Sequence, residues 1–206
     1  MLDLLQKGGP MMWIILACSV IALGIFLERL FFYHRISISA GDLLRGLANV
    51  LRQGNYAEAL HECAATPGPV ARVAHAIILR HELPRTELRD VATEAGQLEV
   101  PRLEHNLPAL ATIAYGAPLL GLLGTLIGLL QTFQLINAQG GNATATDIAT
   151  GVYWSLISAA ASLVVALPAF LAHSYLSSRV NDFLRDMERV GIELLSVLDD
   201  LRPPRT

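Results

Sequence analysis

The sequence is short of charge. Only 16% of its 206 residues are Asp, Glu, Lys or Arg, against roughly 25% in an ordinary soluble domain. The deficit is local: from Asn106 to Leu176 the only such residue is Asp147, whereas residues 36–105 hold sixteen. A net charge of −3 and the lack of a basic run argue against nucleic-acid binding. Cysteine is scarce too. Cys18 lies in an apolar run and Cys63 in a polar segment, which makes neither a disulfide framework nor a metal-ligand cluster. No Gly-rich phosphate loop, nucleophile–base pair or metal spacing is visible, so the residues point to no enzyme and to no cofactor or metal.

What the chain has is apolar sequence: 53% of residues are hydrophobic and the mean hydropathy is +0.46. Three runs reach the roughly 20 residues that a bilayer span needs. The first, at 10–34, has an unbroken core from Met11 to Phe26 and continues past Glu28 and Arg29. Only Lys7 precedes it on the basic side, and no small-x-small site follows, which disfavours a cleaved leader. The second runs from about Leu107 to Ile136 and the third from about Ile148 to Leu176. The expected fold is therefore an all-α integral membrane protein with three transmembrane helices and long cytoplasmic helical extensions.

Basic residues choose the sides. Arg29, Arg35, Arg102, Arg179, Arg185 and Arg189 flank one end of the spans, and Lys7 alone lies at the other. Cytoplasmic loops carry the Lys/Arg excess, so the expected topology is N-out and C-in. The expected organisation is an N-terminus and first helix at 1–35, a cytoplasmic helical insert at 36–106, and the second and third helices at 107–178. A short outer loop at 137–147, holding the triplet Asn142-Ala143-Thr144, joins those two helices, and a cytoplasmic C-terminal helix occupies 179–206. Leu43, Leu44, Leu47, Val50 and Leu51 recur at helical spacing in the insert, as do Val180, Phe183, Leu184, Met187, Val190, Leu194 and Leu195 in the tail.

The second span, "IAYGAPLLGLLGTLIGLLQTF", carries four glycines and a proline, residues that cost a helix roughly 1 and 3 kcal/mol each. Ala117, Gly121, Gly124, Thr125, Gly128 and Thr132 fall three and four apart, on one helix face. In lipid such small residues let backbones approach and so drive helix association. The third span repeats the design with Gly151, Ser155, Ser158, Ser162, Ala166 and Ala169, and Pro118 and Pro168 interrupt the two helices. Each stripe alone fits ordinary helix packing with hydroxyls bonded to their own backbone, and two such stripes on adjacent spans together favour a polar lumen. Hydroxyls, however, do not titrate, and no carboxylate lies mid-membrane, where it would mark an ion path. If protons cross here, the titrating group is on another chain.

The blocks "TIAYGAPLLGLLGTLIGLLQTF" and "DIATGVYWSLISAAASLVVALPAFLAHSYL", with Glu28-Arg29 and "TPGPVARV" upstream, closely resemble the paired signature of the MotA/TolQ/ExbB proton-channel family. The match is nearest to the ExbB and TolQ branch and covers essentially the whole chain. The resemblance implies a bacterial inner-membrane homo-oligomer, a pentamer, around single-span partner helices of the ExbD/TolR type that carry a membrane aspartate. It also implies use of the proton motive force to energise outer-membrane transport through a TonB/TolA-like protein. On that resemblance Thr125, Ser155, Ser158, Ala159 and Ser162 mark the proton path. Gly121, Gly124, Gly128, Gly151 and Ala117 are packing positions, and Pro118 and Pro168 shape the pore. A second family threonine falls on Ala159 and a family glutamate on Trp154, departures that favour the alternative of a non-conducting assembly scaffold.

Overall fold

A computed structural model describes residues 9–37, 40–138 and 144–201. Lys7, Asn142 and Ala143 lie outside the described residues, so of the triplet at 142–144 only Thr144 is described. Seven helices follow one another within them: α1 (Gly9–Ile36), α2 (Ala40–Arg52), α3 (Tyr56–Ala65), α4 (Pro69–Leu79), α5 (Arg85–Glu104), α6 (Leu107–Ala138) and α7 (Ala145–Asp200). No strand occurs among the described residues. Helices α1, α6 and α7 each contain a stretch long and apolar enough to cross a bilayer, as the three sequence runs require. Large apolar side chains on them, Val20, Leu119, Leu126 and Leu167 among others, are exposed, the arrangement expected where the solvent is lipid. The chain is an all-α, multi-pass inner-membrane protein.

The chain divides into two compact units, the first comprising residues up to Arg29 together with Asn106–Leu176. Its frame is the antiparallel pair made by α6 and the first part of α7. Four small residues set their distance. A side-chain carbon on Gly121 would collide with Ser162 Oγ, one on Gly124 with Ser158 Oγ, and one on Gly151 with Thr132 Oγ1. One on Gly128 would stand 2.7 Å from Ser155 Cβ. As the α6 number rises the α7 number falls in step, so the serines and Thr132 occupy the room that the glycines leave. The second unit holds Leu30–His105 and Ser177–Thr206. Within it α2, α3, α4 and α5 each pack on the next.

Its core follows the sequence periodicity. Leu43, Leu44, Leu47 and Leu51 are buried on α2, and Ala59 and Cys63 on α3. The tail stripe is buried at Val180, Phe183, Met187, Val190, Leu194 and Leu195. Asn55 caps α3, its side-chain oxygen accepting from the Glu58 N–H, and Gly68 precedes α4 with φ of 133°, a conformation that favours glycine. Pro84 is the residue just before α5. Two polar contacts stitch this core. The Tyr33 hydroxyl donates to the Leu103 carbonyl at 2.7 Å, and the buried Glu99 carboxylate accepts from Arg72 at 2.5 Å, with Arg102 at 3.7 Å. Burial of Cys63, with the nearby Glu62 carboxylate adding to it, pushes its thiol up to about 11.

Two outcomes follow from this packing. Gly121→Ala should lower the thermal midpoint in detergent, since overfilling a packed interface costs roughly 1–3 kcal/mol. Gly116→Ala, at a position with open space around it, should leave the midpoint unchanged or raised, because alanine is the better helix former by about 1 kcal/mol; equal losses at both positions would contradict the interlock. The Cys63 thiol should resist iodoacetamide at pH 8 until the chain is unfolded. Its native value lies above that of an unfolded thiol, near 8.5. Its contribution to stability is therefore complete below that value and is lost as pH rises toward 11, which urea titrations at pH 8 and pH 10 would read.

Candidate functional site

Hydroxyls on the paired helices do three different things. The Ser155 hydroxyl donates to its own helix at the Val152 carbonyl, 2.7 Å away, and Ser162 does the same to the Ala159 carbonyl at 2.8 Å. Thr132 bonds back to the Gly128 carbonyl at 2.9 Å. Such local bonds are the usual way a hydroxyl is satisfied in a helix interior. Thr125 differs. Its hydroxyl lies 3.0 Å from the Gly121 carbonyl on its own helix and 3.3 Å from the Ser155 carbonyl on α7, so it bridges the pair. Ser158 differs again: it is 2% exposed, and its Oγ has no hydrogen-bond partner among the described residues.

The positions singled out in the sequence are thus brought together in one place. Thr125, Ser155, Ser158 and Ser162 meet along the α6–α7 seam, with Gly121, Gly124, Gly128 and Gly151 as the facing small residues. Ala159 belongs to the same seam, because its Cα would lie 3.3 Å from a side-chain carbon on Gly121. Ala117 is buried on the same helix as the glycines. Pro118 and Pro168 lie inside continuous helices. Each removes one backbone N–H from the helical ladder.

A cleft of about 430 Å³ opens on this seam, with Met11 of α1, Gly124, Gly128, Thr132, Trp154 and Ser158 in its walls. Asp147 stands at its rim with Gln131 and Thr150. The Thr144 hydroxyl donates to Asp147 Oδ2 at 2.6 Å and the Thr144 N–H at 3.1 Å. These bonds hold the Asp147 carboxyl below the usual carboxylate range. Among the described residues no group of three or more His, Cys, Asp or Glu is placed to hold a metal ion.

A second polar cluster forms where α1 carries Glu28. The Glu28 carboxylate pairs with Arg29 at 3.2 Å and accepts from Asn106 Nδ2 at 3.1 Å. Arg29 is buried. Asn106 has φ of 65°, a left-handed conformation that asparagine tolerates better than most side chains, and its carbonyl accepts the first bond of α6, from the Leu110 N–H. Sequence reading picked out Glu28-Arg29 but not Asn106. The available signal was an asparagine followed by Leu107-Pro108, a helix-start pattern.

The "MotA/TolQ/ExbB proton channel family" matches residues 65–189. The biopolymer transport protein ExbB-like 1 of Synechocystis is 33% identical over 94% of this chain and 77% of its own length. An ExbB homolog of Methanothermobacter thermautotrophicus is 28% identical over 92% of this chain and 67% of its own. The Tol-Pal system protein TolQ of Haemophilus influenzae is 35% identical over 48% of this chain and 43% of its own. The matched span takes in α4, α5, α6 and most of α7, the seam and its cleft included. The chain belongs to the MotA/TolQ/ExbB proton channel family, on its ExbB/TolQ branch.

Proposed function

We propose that this chain is the channel-forming stator subunit of an ExbB/TolQ-type inner-membrane motor. It assembles as a homo-oligomer, a pentamer on the family resemblance, around an ExbD/TolR-like single-span protein. It uses the proton motive force to energise outer-membrane transport through a TonB/TolA-like protein. The observation that carries this reading is a mismatch. The α6–α7 seam is lined with hydroxyls, yet from Asn106 to Leu176 the only Asp, Glu, Lys or Arg is Asp147, at the start of α7. A proton relay needs a group that titrates within the membrane, so a second chain must bring it. Each charge crossing 100 mV supplies about 2.3 kcal/mol, and only a chain held against this seam can take it up.

The excess of arginine at one end of the spans supports an N-out, C-in topology. Thr125 is the residue on this chain best suited to face the passing proton. It is half-buried, and its hydroxyl is not confined to its own helix. Ser158 and Ser162 come next, with Ala159 between them. The alternative, a scaffold that holds the assembly without conducting, is favoured by Ala159 and Trp154 at positions where the family resemblance implies Thr and Glu. The engagement of Ser155 and Ser162 with their own helix carbonyls favours it as well.

Native mass spectrometry after co-expression with a single-span, aspartate-bearing neighbour should find several copies of this chain retaining that partner. A homo-oligomer that never retains a partner would favour the scaffold. Thr125→Val keeps the shape and deletes the hydroxyl. It should abolish proton-driven activity while changing stability by only about 1 kcal/mol, the worth of a hydrogen bond. Full activity in that variant, measured as proton uptake by vesicles carrying the complex, would take Thr125 out of the path.

A further inference from the structure

Helix α5 carries opposite features on its two sides. On one side it forms a groove of about 350 Å³ with the second part of α7, inside the second unit. Its floor is apolar: Ala92, Gly96 and Val100 come from α5, and Leu184, Gly191 and Leu195 from α7. A side-chain carbon on Gly96 would meet nothing within 4 Å. Arg89 on α5 and Glu188 on α7 are the charged residues among those that line it. The other side of α5 carries Leu98, which at 3.6 residues per turn lies roughly 200° around the helix from Gly96. Leu98 is 68% exposed and belongs to the charged stretch at 36–105, so lipid does not account for its exposure. Glu87 and Glu94, both exposed, fall within about 40° of Leu98 on the same side. Arg102, also on that side, is engaged by Glu99.

We propose that the occupant of this groove is a second copy of this chain, presenting the Leu98 side of its α5. Leu98 of one copy fills the open room at Gly96 of the next, and Glu87 and Glu94 come against Arg89. Complementary charge sets the register of such a contact and suppresses wrong pairings. A two-fold pairing of the Leu98 sides is one of these, because it would set the acids of one copy against the same acids of the other. The contact joins two different patches, so each copy keeps a free groove or a free leucine for the next, and the chain of contacts closes into a ring where the rotation allows. Rotation about an axis parallel to α5 keeps every residue at its own height. Arg89 then falls between Glu87 and Glu94, and Leu98 between Gly96 and Val100. The contact presupposes the homo-oligomer proposed above and adds which sides of the copies meet.

The test is disulfide cross-linking of the full-length chain in membranes. Gly96→Cys and Leu98→Cys are placed together in a Cys18→Ala background, with the buried Cys63 thiol out of reach. Gly96 has open space and Leu98 is exposed, so both changes are compatible with the fold. Two cysteines directed to opposite sides of one helix cannot join within a chain, so any bond formed is between copies. Mild oxidation should convert most of the chain into a ladder that runs past the dimer on a non-reducing gel, while either single variant stays monomeric. No ladder, or dimers from Leu98→Cys alone, would overturn the contact. Arg89→Glu should lower the oligomer fraction in native mass spectrometry several-fold, and adding Glu87→Arg and Glu94→Arg should restore it. No loss, or a loss without rescue, would overturn the charge match. An oligomer that gives no ladder would sink this surface and leave the motor reading standing; a ladder from a chain that retains no single-span partner would do the reverse.

Discussion

Two helices surrounded by lipid gain nothing from hiding apolar side chains from one another, since the solvent is as apolar as leucine. What holds α6 to α7 is close fit. Gly121, Gly124 and Gly128 on one helix and Gly151 on the other give up side-chain volume where Ser162, Ser158, Ser155 and Thr132 fill it. The loss of helix propensity at each glycine is offset by dispersion contacts that need the backbones close together. The polar character of the seam follows from the same constraint. Serine is among the few residues small enough to fit against a glycine, and its hydroxyl must then be bonded locally, bridged across, or wetted. Ser155 and Ser162 take the first course and Thr125 the second, while the Ser158 Oγ has no hydrogen-bond partner among the described residues.

The polar end of the first unit obeys a related constraint. Buried Arg29 carries a charge, and the Glu28 carboxylate is shared between it and Asn106. Asn106 also has a left-handed backbone conformation that few side chains would accept. In the second unit Glu99 plays the corresponding role, a buried carboxylate made tolerable by Arg72 and Arg102. Charges in this sequence are few, and among the described residues the two that are buried, Arg29 and Glu99, are held by named partners.

Much of this was legible beforehand. Composition located the spans because charge is absent from them, and helical spacing located the cores of α2 and of the second part of α7. The two small-residue stripes were visible as well, but spacing of three and four names a face and not its partner. Gly121 could have met another copy of the chain as readily as Ser162. Only when both stripes are written in opposite directions does the match of 121 with 162, 124 with 158 and 128 with 155 emerge. The cleft could not be read, because one of its walls is Met11, more than a hundred positions away from the α6 and α7 residues that line it. Asn106 was passed over because its side chain bonds Glu28, seventy-eight positions away, a contact no local pattern encodes.

Size complementarity along the seam couples the history of its positions. At each level a nearly fixed volume is divided between two residues, and the sequence records only how it is divided. A serine arising at Gly121 would be crowded beside Ser162, and a glycine arising at Ser162 would leave a void, yet the two changes together restore the sum. A change at the seam is therefore best tolerated as a reciprocal pair, because either half alone leaves crowding or a void.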